Sequence, residues 1–244
     1  MRRYRIFGIA SLLTLLVTSA IIIIPGQSQE QKPQIKTHRR KFDENRFPVA
    51  DYSAADLSDP KERAKRQEKG KKYDKSAWRI YPETTSSMAR VDYVNPNLPA
   101  LPLTESSAVI VGQITDAKAY LSNDKTGVYS AFTVQVNEVL KNSSSVPLSS
   151  ASTIEVERDG GRVRFPNGRI LIYTISSQDM PVVGLRYVFF LITPHGQSDF
   201  QILTAYELRE GKVYPLDDLP NLYRYENADE LNFLSELRNR IANP

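Results

Sequence analysis

The sequence predicts a mainly β fold, in which a small closed or partly open barrel of about eight strands is followed by a C-terminal helix. An N-terminal apolar helix and a basic linker precede the barrel. Three observations lead to this expectation: short runs of β-forming residues, glycine-containing turns between them, and a final segment with helical periodicity. We expect one globular domain, because only the C-terminal part has enough apolar residues to build a core.

The strand predictions depend on hydrophobic alternation and on apolar runs. In the segment 127–140, Val134 and Val136 alternate with polar neighbours, as in a half-buried strand. The run 186–193 is apolar almost throughout, which indicates a central strand buried on both faces. The other predicted strands are the runs 108–114, 153–158, 162–165, 169–175, 200–208 and 211–214.

Glycine residues mark the predicted turns. The segments 159–161 (Asp-Gly-Gly) and 166–168 (Pro-Asn-Gly) join three strands into a predicted meander, because Asp-Gly and Asn-Gly favour the positive φ of tight hairpins. Gly112, within the first strand, indicates a bend or bulge of the kind that a barrel needs.

The C-terminal helix is predicted over residues 228–242. Asp229 and Glu230 follow Asn227 in an arrangement that caps a helix N-terminus. One side of this helix is apolar and would pack on the barrel. The residues of this predicted stripe are Leu231, Leu234, Leu237 or Arg238, and Ile241.

Residues 1–28 are predicted to be a signal peptide or an N-terminal membrane anchor. Three arginines within the first five residues precede the uncharged run 6–24, a pattern typical of export segments. As a helix, this run would span about 28 Å, close to the hydrocarbon thickness of a bilayer. Pro25 and Gly26 would end the helix, and Gly26 and Ser28 are small residues at the two positions that a signal peptidase needs for a cut after Ser28.

This N-terminus predicts an exported protein. The domain would either be anchored in the inner membrane and face the periplasm or exterior, or be secreted after cleavage near Ser28. The lack of cysteine favours the bacterial envelope over a eukaryotic secretory pathway.

Residues 29–103 are predicted to be a basic, largely disordered linker, because they contain no sustained apolar period. A short helix is predicted over residues 59–69, with Pro60 in its first turn and Gly70 at its end. Its basic side chains would contact anionic lipid head groups or an acidic wall polymer, or the segment would be a solvated spacer. These side chains are Lys61, Arg63, Lys65, Arg66, Lys69, Lys71 and Lys72.

Charge and composition exclude several functions. The segments 1–29, 30–100 and 101–244 carry charges of +3, +5 and −4 at pH 7. Nucleic-acid binders place positive charge on the folded domain that contacts phosphate, so we expect no nucleic-acid partner. The lack of cysteine excludes disulfides, thiolate nucleophiles and cysteine-ligated metal sites. No metal or cofactor motif is present, and neither is predicted.

Several strand motifs resemble those of exported bacterial proteins with an OB-like barrel, which is similar to the module of tissue inhibitors of metalloproteinases and netrins. The resemblance covers residues 105–210 and implies the fold but no function. The inhibitors act through an N-terminal cysteine that chelates zinc, and this chain lacks cysteine, so no functional residue is carried over. The segments that carry the resemblance are Val111–Ile114, Tyr129–Lys141, Gly160–Gly161 and Gly184–Leu191.

A basic strand face is the main candidate for ligand binding. OB-like barrels often bind ligands on a strand face, and the predicted meander carries four arginines beside a tyrosine. Cross-strand pairs with Glu155 and Glu157 would instead make these arginines structural. The candidate ligand face consists of Arg158, Arg162, Arg164, Arg169 and Tyr173.

Histidine chemistry is an alternative. The chain has two histidines, His38 in the linker and His195 after the run 186–193. A hydrolase would use His195 as its base. No G-x-S-x-G motif surrounds any serine, which favours a non-catalytic protein. The remaining catalytic groups would come from Asp199 or Asp179 and from Ser198 or Ser176.

Paired carboxylates are a second alternative. Glu155 and Glu157 would share one strand face about 7 Å apart, a separation compatible with acid and base catalysis. Asp217 and Asp218 form another pair. Both pairs also fit ordinary outward strand and loop positions, so neither is predicted to be catalytic or to bind metal.

The sequence therefore favours a non-enzymatic, membrane-tethered or secreted binding module of the cell envelope. It would bind an envelope protein or glycan through its barrel face or end loops, and contact the membrane through residues 1–28. An envelope hydrolase that uses His195, and a structural spacer or assembly subunit, are the alternative hypotheses.

Overall fold

The computed structural model of this chain describes residues 43–55, 58–76, 79–80, 88–91, 95, 97–194 and 199–243. The chain divides into two units, Met1–Lys36 and Thr37–Pro244, and all described residues belong to the second. The predicted signal peptide or anchor, residues 1–28, lies outside the described residues. Within the described ranges, no helix combines the length and apolar character needed to cross a membrane.

The described residues form a mainly β structure with a C-terminal helix, as predicted. The helices are α1 (Pro60–Gly70) and α2 (Glu230–Ala242), with 3₁₀ turns at Glu44–Arg46, Lys71–Tyr73 and Pro220–Tyr225. The strands are β1 (Val49–Asp51), β2 (Met88–Val91), β3 (Ala108–Leu121), β4 (Val128–Asn142), β5 (Thr153–Asp159), β6 (Gly161–Arg164), β7 (Ile170–Ile175), β8 (Arg186–Ile192), β9 (Phe200–Arg209), β10 (Lys212–Pro215) and β11 (Ala228–Asp229).

Seven strands form one sheet, and five of them close into a hydrogen-bonded ring. The sheet order is β11, β10, β9, β5, β4, β3 and β8, and β8 pairs back with β9. The ring therefore consists of β3, β4, β5, β9 and β8. Adjacent strands of the ring are antiparallel, except that β5 and β9 run parallel to each other.

The ring strands bury side chains on both faces. Ile110 and Phe189 belong to one core cluster, whereas Val109 and Phe190 belong to a second cluster that includes α2. The prediction that 186–193 is buried on both faces is thus confirmed by β8, and this explains its nearly continuous apolar sequence. The predicted irregularity at Gly112 is confirmed by a register shift against β4.

Helix α2 covers the second core cluster. The side chain of Asp229 caps it by accepting a hydrogen bond from the backbone N–H of Asn232 at 3.1 Å. The predicted stripe is wrong at Leu231, which is 77 % exposed, because the buried face passes instead through Phe233, Leu234 and Leu237. Leu237 follows Phe233 by four residues and Leu234 by three, so the three side chains lie on the same side of the helix.

A second sheet, which the sequence did not predict, has the order β1, β6, β7 and β2. The predicted meander is therefore wrong at its first connection, because β5 pairs within the ring while β6 and β7 form a hairpin elsewhere. The chain leaves the ring at Gly160 and Gly161, whose φ angles are 99° and 154°. A Cβ on Gly161 would lie 3.1 Å from a Val128 methyl group, so only glycine fits this crossing without movement of its neighbours.

The N-terminal described residues differ from the predicted linker. β1 pairs in parallel with β6, and β2 pairs in parallel with β7, so the segment supplies both edges of the second sheet. Phe47 is fully buried in the first core cluster, and Tyr73 is also buried. The linker prediction failed here because single apolar residues at irregular spacing can fill gaps on an existing domain without any periodic pattern.

Helix α1 begins and ends close to the predicted residues 59–69. Asp59 accepts a hydrogen bond from the N–H of Lys61 at 2.9 Å, and Pro60 occupies the first turn. At the other end, the helix packs against the β3–β4 hairpin so closely that a Cβ on Gly70 would lie 2.3 Å from the amide oxygen of Asn123. The helix is thus attached to the domain rather than solvated on all sides.

Phe47→Ala should lower the free energy of unfolding by about 3–5 kcal/mol, because it removes a fully buried ring from the core. Leu231→Ala is the matched control and should change it by at most about 0.5 kcal/mol, because Leu231 is exposed. Urea unfolding followed by circular dichroism measures both. Equally small effects would contradict the packing of residues 43–55 on the domain.

Candidate functional site

Three carboxylates on the ring hold the C-terminal end of α1. Glu155 and Glu157 lie on β5, and Asp199 directly precedes β9; together they are the carboxylate cluster. The Lys69 ammonium lies 2.5 Å from Glu155 and 3.0 Å from Glu157. The Lys72 ammonium lies 2.9 Å from Asp199 and 3.4 Å from Glu157. Opposite charges, not an apolar stripe, therefore attach this helix.

Two tyrosines complete the burial of Glu157. The hydroxyl of Tyr73 donates to Glu157 Oε2 at 2.9 Å, and the ring of Tyr73 stacks on Tyr129 with centroids 4.1 Å apart. Burial and the charge of Glu157 raise the pKa of Tyr73 well above its ordinary value. The hydroxyl of Tyr73 therefore stays protonated and remains a hydrogen-bond donor.

The same contacts set the charge of their partners. Burial opposes the charged form of Lys69, but hydrogen bonding to Glu155 and the charge of Glu157 outweigh it and raise the pKa of Lys69. Burial also opposes the ionised form of Asp199, but the hydrogen bond from Lys72 lowers the pKa of Asp199. Lys69 and Asp199 are therefore charged at neutral pH.

A basic cleft lies beside this attachment, between residues 50–55, α1 and the β3–β4 hairpin. Its volume is about 500 Å³, within the usual range for ligand sites. Among the residues that the structure describes, four cationic side chains and one carboxylate, Asp51, line it. The cations are Arg63, Arg66, Lys71 and Lys125.

Two tyrosine rings orient cations in the basic cleft. The guanidinium of Arg66 lies 3.5 Å from the centroid of Tyr120, and the ammonium of Lys125 lies 5.0 Å from that of Tyr52. Lys125 also donates to the carbonyl oxygen of Tyr52 at 3.2 Å. These cation–π contacts orient the positive groups, and the guanidinium of Arg66 also lies 3.8 Å from the Glu155 carboxylate. Among the described residues, Lys71 has no side-chain hydrogen bond or ion pair.

The hairpin wall of the cleft is fixed by its turn. The carboxylate of Asp124 accepts from the N–H of Lys75 at 2.7 Å and from the hydroxyl of Ser122 at 2.8 Å. Desolvation opposes the ionised form of Asp124, but the hydrogen bonds from Lys75, Thr126 and Ser122 together outweigh it and hold the pKa of Asp124 well below its ordinary value. The turn is therefore tied to the chain that follows α1.

The structure does not bring the predicted ligand face together. Arg158 is buried in an ion pair with Asp217, with the two groups 2.6 Å apart, and Tyr173 is fully buried in the core of the second sheet. Arg162 donates to the carbonyl oxygen of Phe47 at 2.7 Å. The remaining two residues lie outside this core, Arg164 exposed on β6 and Arg169 half-buried before β7.

The predicted salt bridges are also different. Glu155 and Glu157 bind Lys69 rather than the arginines of the meander. A shared lysine ties both carboxylates into one structural cluster, which differs from the separate acid and base of a glycoside hydrolase. Asp217 is likewise bound in the interior by Arg158.

The groups proposed for histidine catalysis are only partly described. His195 and Ser198, as well as His38, lie outside the described residues. The two candidate aspartates are both ion-paired, Asp199 with Lys72 and Asp179 with Arg46 at 2.6 Å. Within the described ranges, no group of three or more histidine, aspartate or glutamate side chains is arranged to hold a metal ion.

Sequence reasoning missed the basic cleft. It assigned Arg63, Arg66 and Lys71 to a surface contact or a spacer, and it gave Tyr52 and Lys125 no role. The cations of the helix were visible as a charge cluster, but the tyrosines that orient them come from other segments. Only the three-dimensional fold brings these groups together.

Glu157→Gln should lower the free energy of unfolding by about 3 kcal/mol, because it removes a fully buried counter-charge from Lys69. Glu138→Gln is the control. Its exposed ion pair with Arg238, at 2.7 Å, is worth at most about 1 kcal/mol. Urea titrations at pH 7 measure the stability of both variants. Equal losses of stability would contradict the conclusion that the carboxylate cluster holds α1 in place.

Asp159 should make stability depend on pH. Burial and the nearby charge of Glu157 raise the pKa of Asp159 to about 6, against the opposing effect of Arg158. The folded state thus binds this proton more tightly than the unfolded state, so the contribution of Asp159 to stability is greatest below about pH 4 and is lost as the pH rises through about 6.

Asp159→Asn should remove this dependence. Relative to the original chain, the variant should gain up to about 3 kcal/mol between pH 4 and pH 7, at about 1.4 kcal/mol for each pKa unit. Urea unfolding of both proteins at four pH values within that interval measures the difference. A difference that is constant with pH would show that Asp159 is not titrating there.

Comparisons with protein families and with curated proteins returned no match for this chain. The features of this chain that bear on its function are therefore the basic cleft and the carboxylate cluster, which fixes the position of one wall of the cleft.

Proposed function

We propose that this protein is a non-enzymatic binding module that takes an anionic ligand in the basic cleft. The observation that carries the proposal is the excess of cations over carboxylates, four to one among the described lining residues, in a cleft of about 500 Å³. A cleft with this excess repels other cations and attracts carboxylate or phosphate groups.

The individual cations suit such a ligand. Arg63 and Arg66 are three residues apart on α1 and so lie on the same side of the helix. Guanidinium groups bind carboxylate and phosphate in a bidentate manner. Lys71 and Lys125 add two ammonium groups from other parts of the lining, so several anionic groups of one ligand can be bound at once.

The ligand class that we propose is an acidic glycan of the cell envelope, with carboxylate or phosphate substituents along its chain. The uncharged run after an arginine-rich start supports export, with residues 1–28 as a signal peptide or membrane anchor. A tethered or secreted domain with a cationic cleft would meet such polymers directly, and the tyrosines of the cleft offer surfaces for sugar rings.

We also propose that the hydrogen-bonded ring is an OB-like barrel, similar to that of tissue inhibitors of metalloproteinases and netrins. The ring has five strands, each paired with two other strands of the ring, and five is also the number of strands in an OB fold. Gly112 lies on β3, the first strand of the ring, at a point where a Cβ would collide with Val134 on the neighbouring strand. A glycine at this position supports the strong curvature that closure of the ring requires.

Polygalacturonate and poly(glycerol phosphate) are the probes for the cleft, with neutral dextran as the reference. The full chain should bind at least one polyanion, and the double variant Arg63→Gln/Lys71→Gln should weaken that binding at least about tenfold. Binding should also decrease as salt increases. Isothermal titration calorimetry measures both effects.

The matched control is Lys212→Gln/Arg238→Gln, which removes the same charge from exposed positions outside the cleft. It should change affinity less than about twofold, because distant exposed charges are screened. Equal weakening by both double variants would mean that only net charge matters, and the basic cleft would then not be the site. If neither polyanion binds, the proposal is also overturned.

A further inference from the structure

A second cavity lies on a different part of the domain. It is enclosed by the turn after β7, the β9–β10 hairpin and the segment 216–227, and its volume is about 440 Å³. We call it the polar pocket. It shares no lining residue with the basic cleft, and the proposed function above does not use it.

The inner wall of the polar pocket is built on buried ion pairs. Asp217 accepts from Arg158 at 2.6 Å and from the hydroxyl of Thr204 at 2.8 Å. Its other oxygen accepts from the backbone N–H of Asp179 at 3.0 Å, and the Asp179 carboxylate pairs with Arg46. Each inner carboxylate therefore has its own arginine, so the wall is rigid and carries little uncompensated charge.

The rim offers groups that are not engaged elsewhere. Within the described part of the chain, Arg90, Glu226 and Asn227 make no side-chain hydrogen bond or ion pair. A guanidinium, a carboxylate and a carboxamide are all planar groups that can each bind two neighbouring polar atoms. Together they present donors and acceptors without the positive excess of the basic cleft.

Two tyrosines add aromatic surface to this polar lining. Tyr214 lies under the guanidinium of Arg209, which is 4.7 Å from the ring centroid. The hydroxyl of Tyr223 donates to Asp218. Both rings line the cavity, together with the apolar Leu216. Aromatic side chains with a polar edge suit ligands that have both C–H faces and hydroxyl groups.

The charges around the polar pocket disfavour charged ligands of either sign. An anionic ligand would meet Glu226 and Asp218, and a cationic ligand would meet Arg90 and Arg209. A neutral ligand with several hydroxyl groups can donate to the carboxylates and accept from the guanidinium groups at the same time. We propose that the polar pocket is a second binding site, which takes a neutral saccharide.

Saturation-transfer NMR on the full chain tests this site with three neutral disaccharides: cellobiose, maltose and N,N′-diacetylchitobiose. At least one should receive saturation and titrate to a plateau. Asn227→Gly should weaken it about fivefold, because it removes the carboxamide while glycine tolerates the φ of 61° at this position. Tyr214→Ala should weaken it by a similar factor or more.

The double variant Arg63→Gln/Lys71→Gln is the control, and it should bind the disaccharide as the original chain does. Circular dichroism verifies that each variant is folded, and Asn227→Gly provides the test if Tyr214→Ala is not. Saturation transfer that is unchanged in Asn227→Gly, or absent for all three sugars, would overturn the proposal. Because the control variant removes only cleft charges, failure of the basic cleft leaves this test unaffected.

Discussion

Glu157 is fully buried on β5, so the fold needs positive charge and hydrogen-bond donors around its carboxylate. Lys69, Lys72 and Tyr73 provide them, and all three come from a short segment that has no apolar stripe of its own. Electrostatic compensation therefore determines where α1 lies. The other contacts of this helix, including those with the β3–β4 hairpin, follow from that position.

The basic cleft is a consequence of this placement. With Lys69 directed into the carboxylate cluster, Arg66 and Arg63, one and two turns earlier in the same helix, line the cleft beside the hairpin. Tyr120 on the hairpin strand then receives the guanidinium of Arg66 on its ring. One helix thus uses some of its cations to attach itself and others to line a cavity, and the division is decided by which carboxylates lie on the ring.

The parts of the fold that were predicted correctly depend on local patterns. The two-sided burial of β8, the approximate bounds of α1 and α2, and the irregularity at Gly112 each follow from a few consecutive residues. The errors concern long-range choices. The sequence fits a buried stripe through Leu231 as well as one through Phe233, and only the surface against which the helix packs distinguishes them. The residues near Gly160 likewise give no indication that β6 belongs to a different sheet from β5.

The candidate site was predicted less well than the fold, for a related reason. A lysine that binds a buried glutamate looks the same in sequence as a lysine in solvent, so Lys69 and Lys71 could not be distinguished. Arg158 and Arg162 were assigned to one face because they are close in sequence, but they lie in different sheets. Side-chain partners are set by packing, and packing is not encoded in spacing alone.

Several contacts join residues that are far apart in the chain, and this has a consequence for biosynthesis. Lys69 binds a carboxylate 86 residues further along the chain, and Arg46 binds one 133 residues away. Synthesis proceeds from the N-terminus, so these residues must wait until β5 and the turn after β7 have emerged. The high charge and scattered apolar residues of the segment around them suit that interval, because they keep an unfinished chain soluble until its partners arrive.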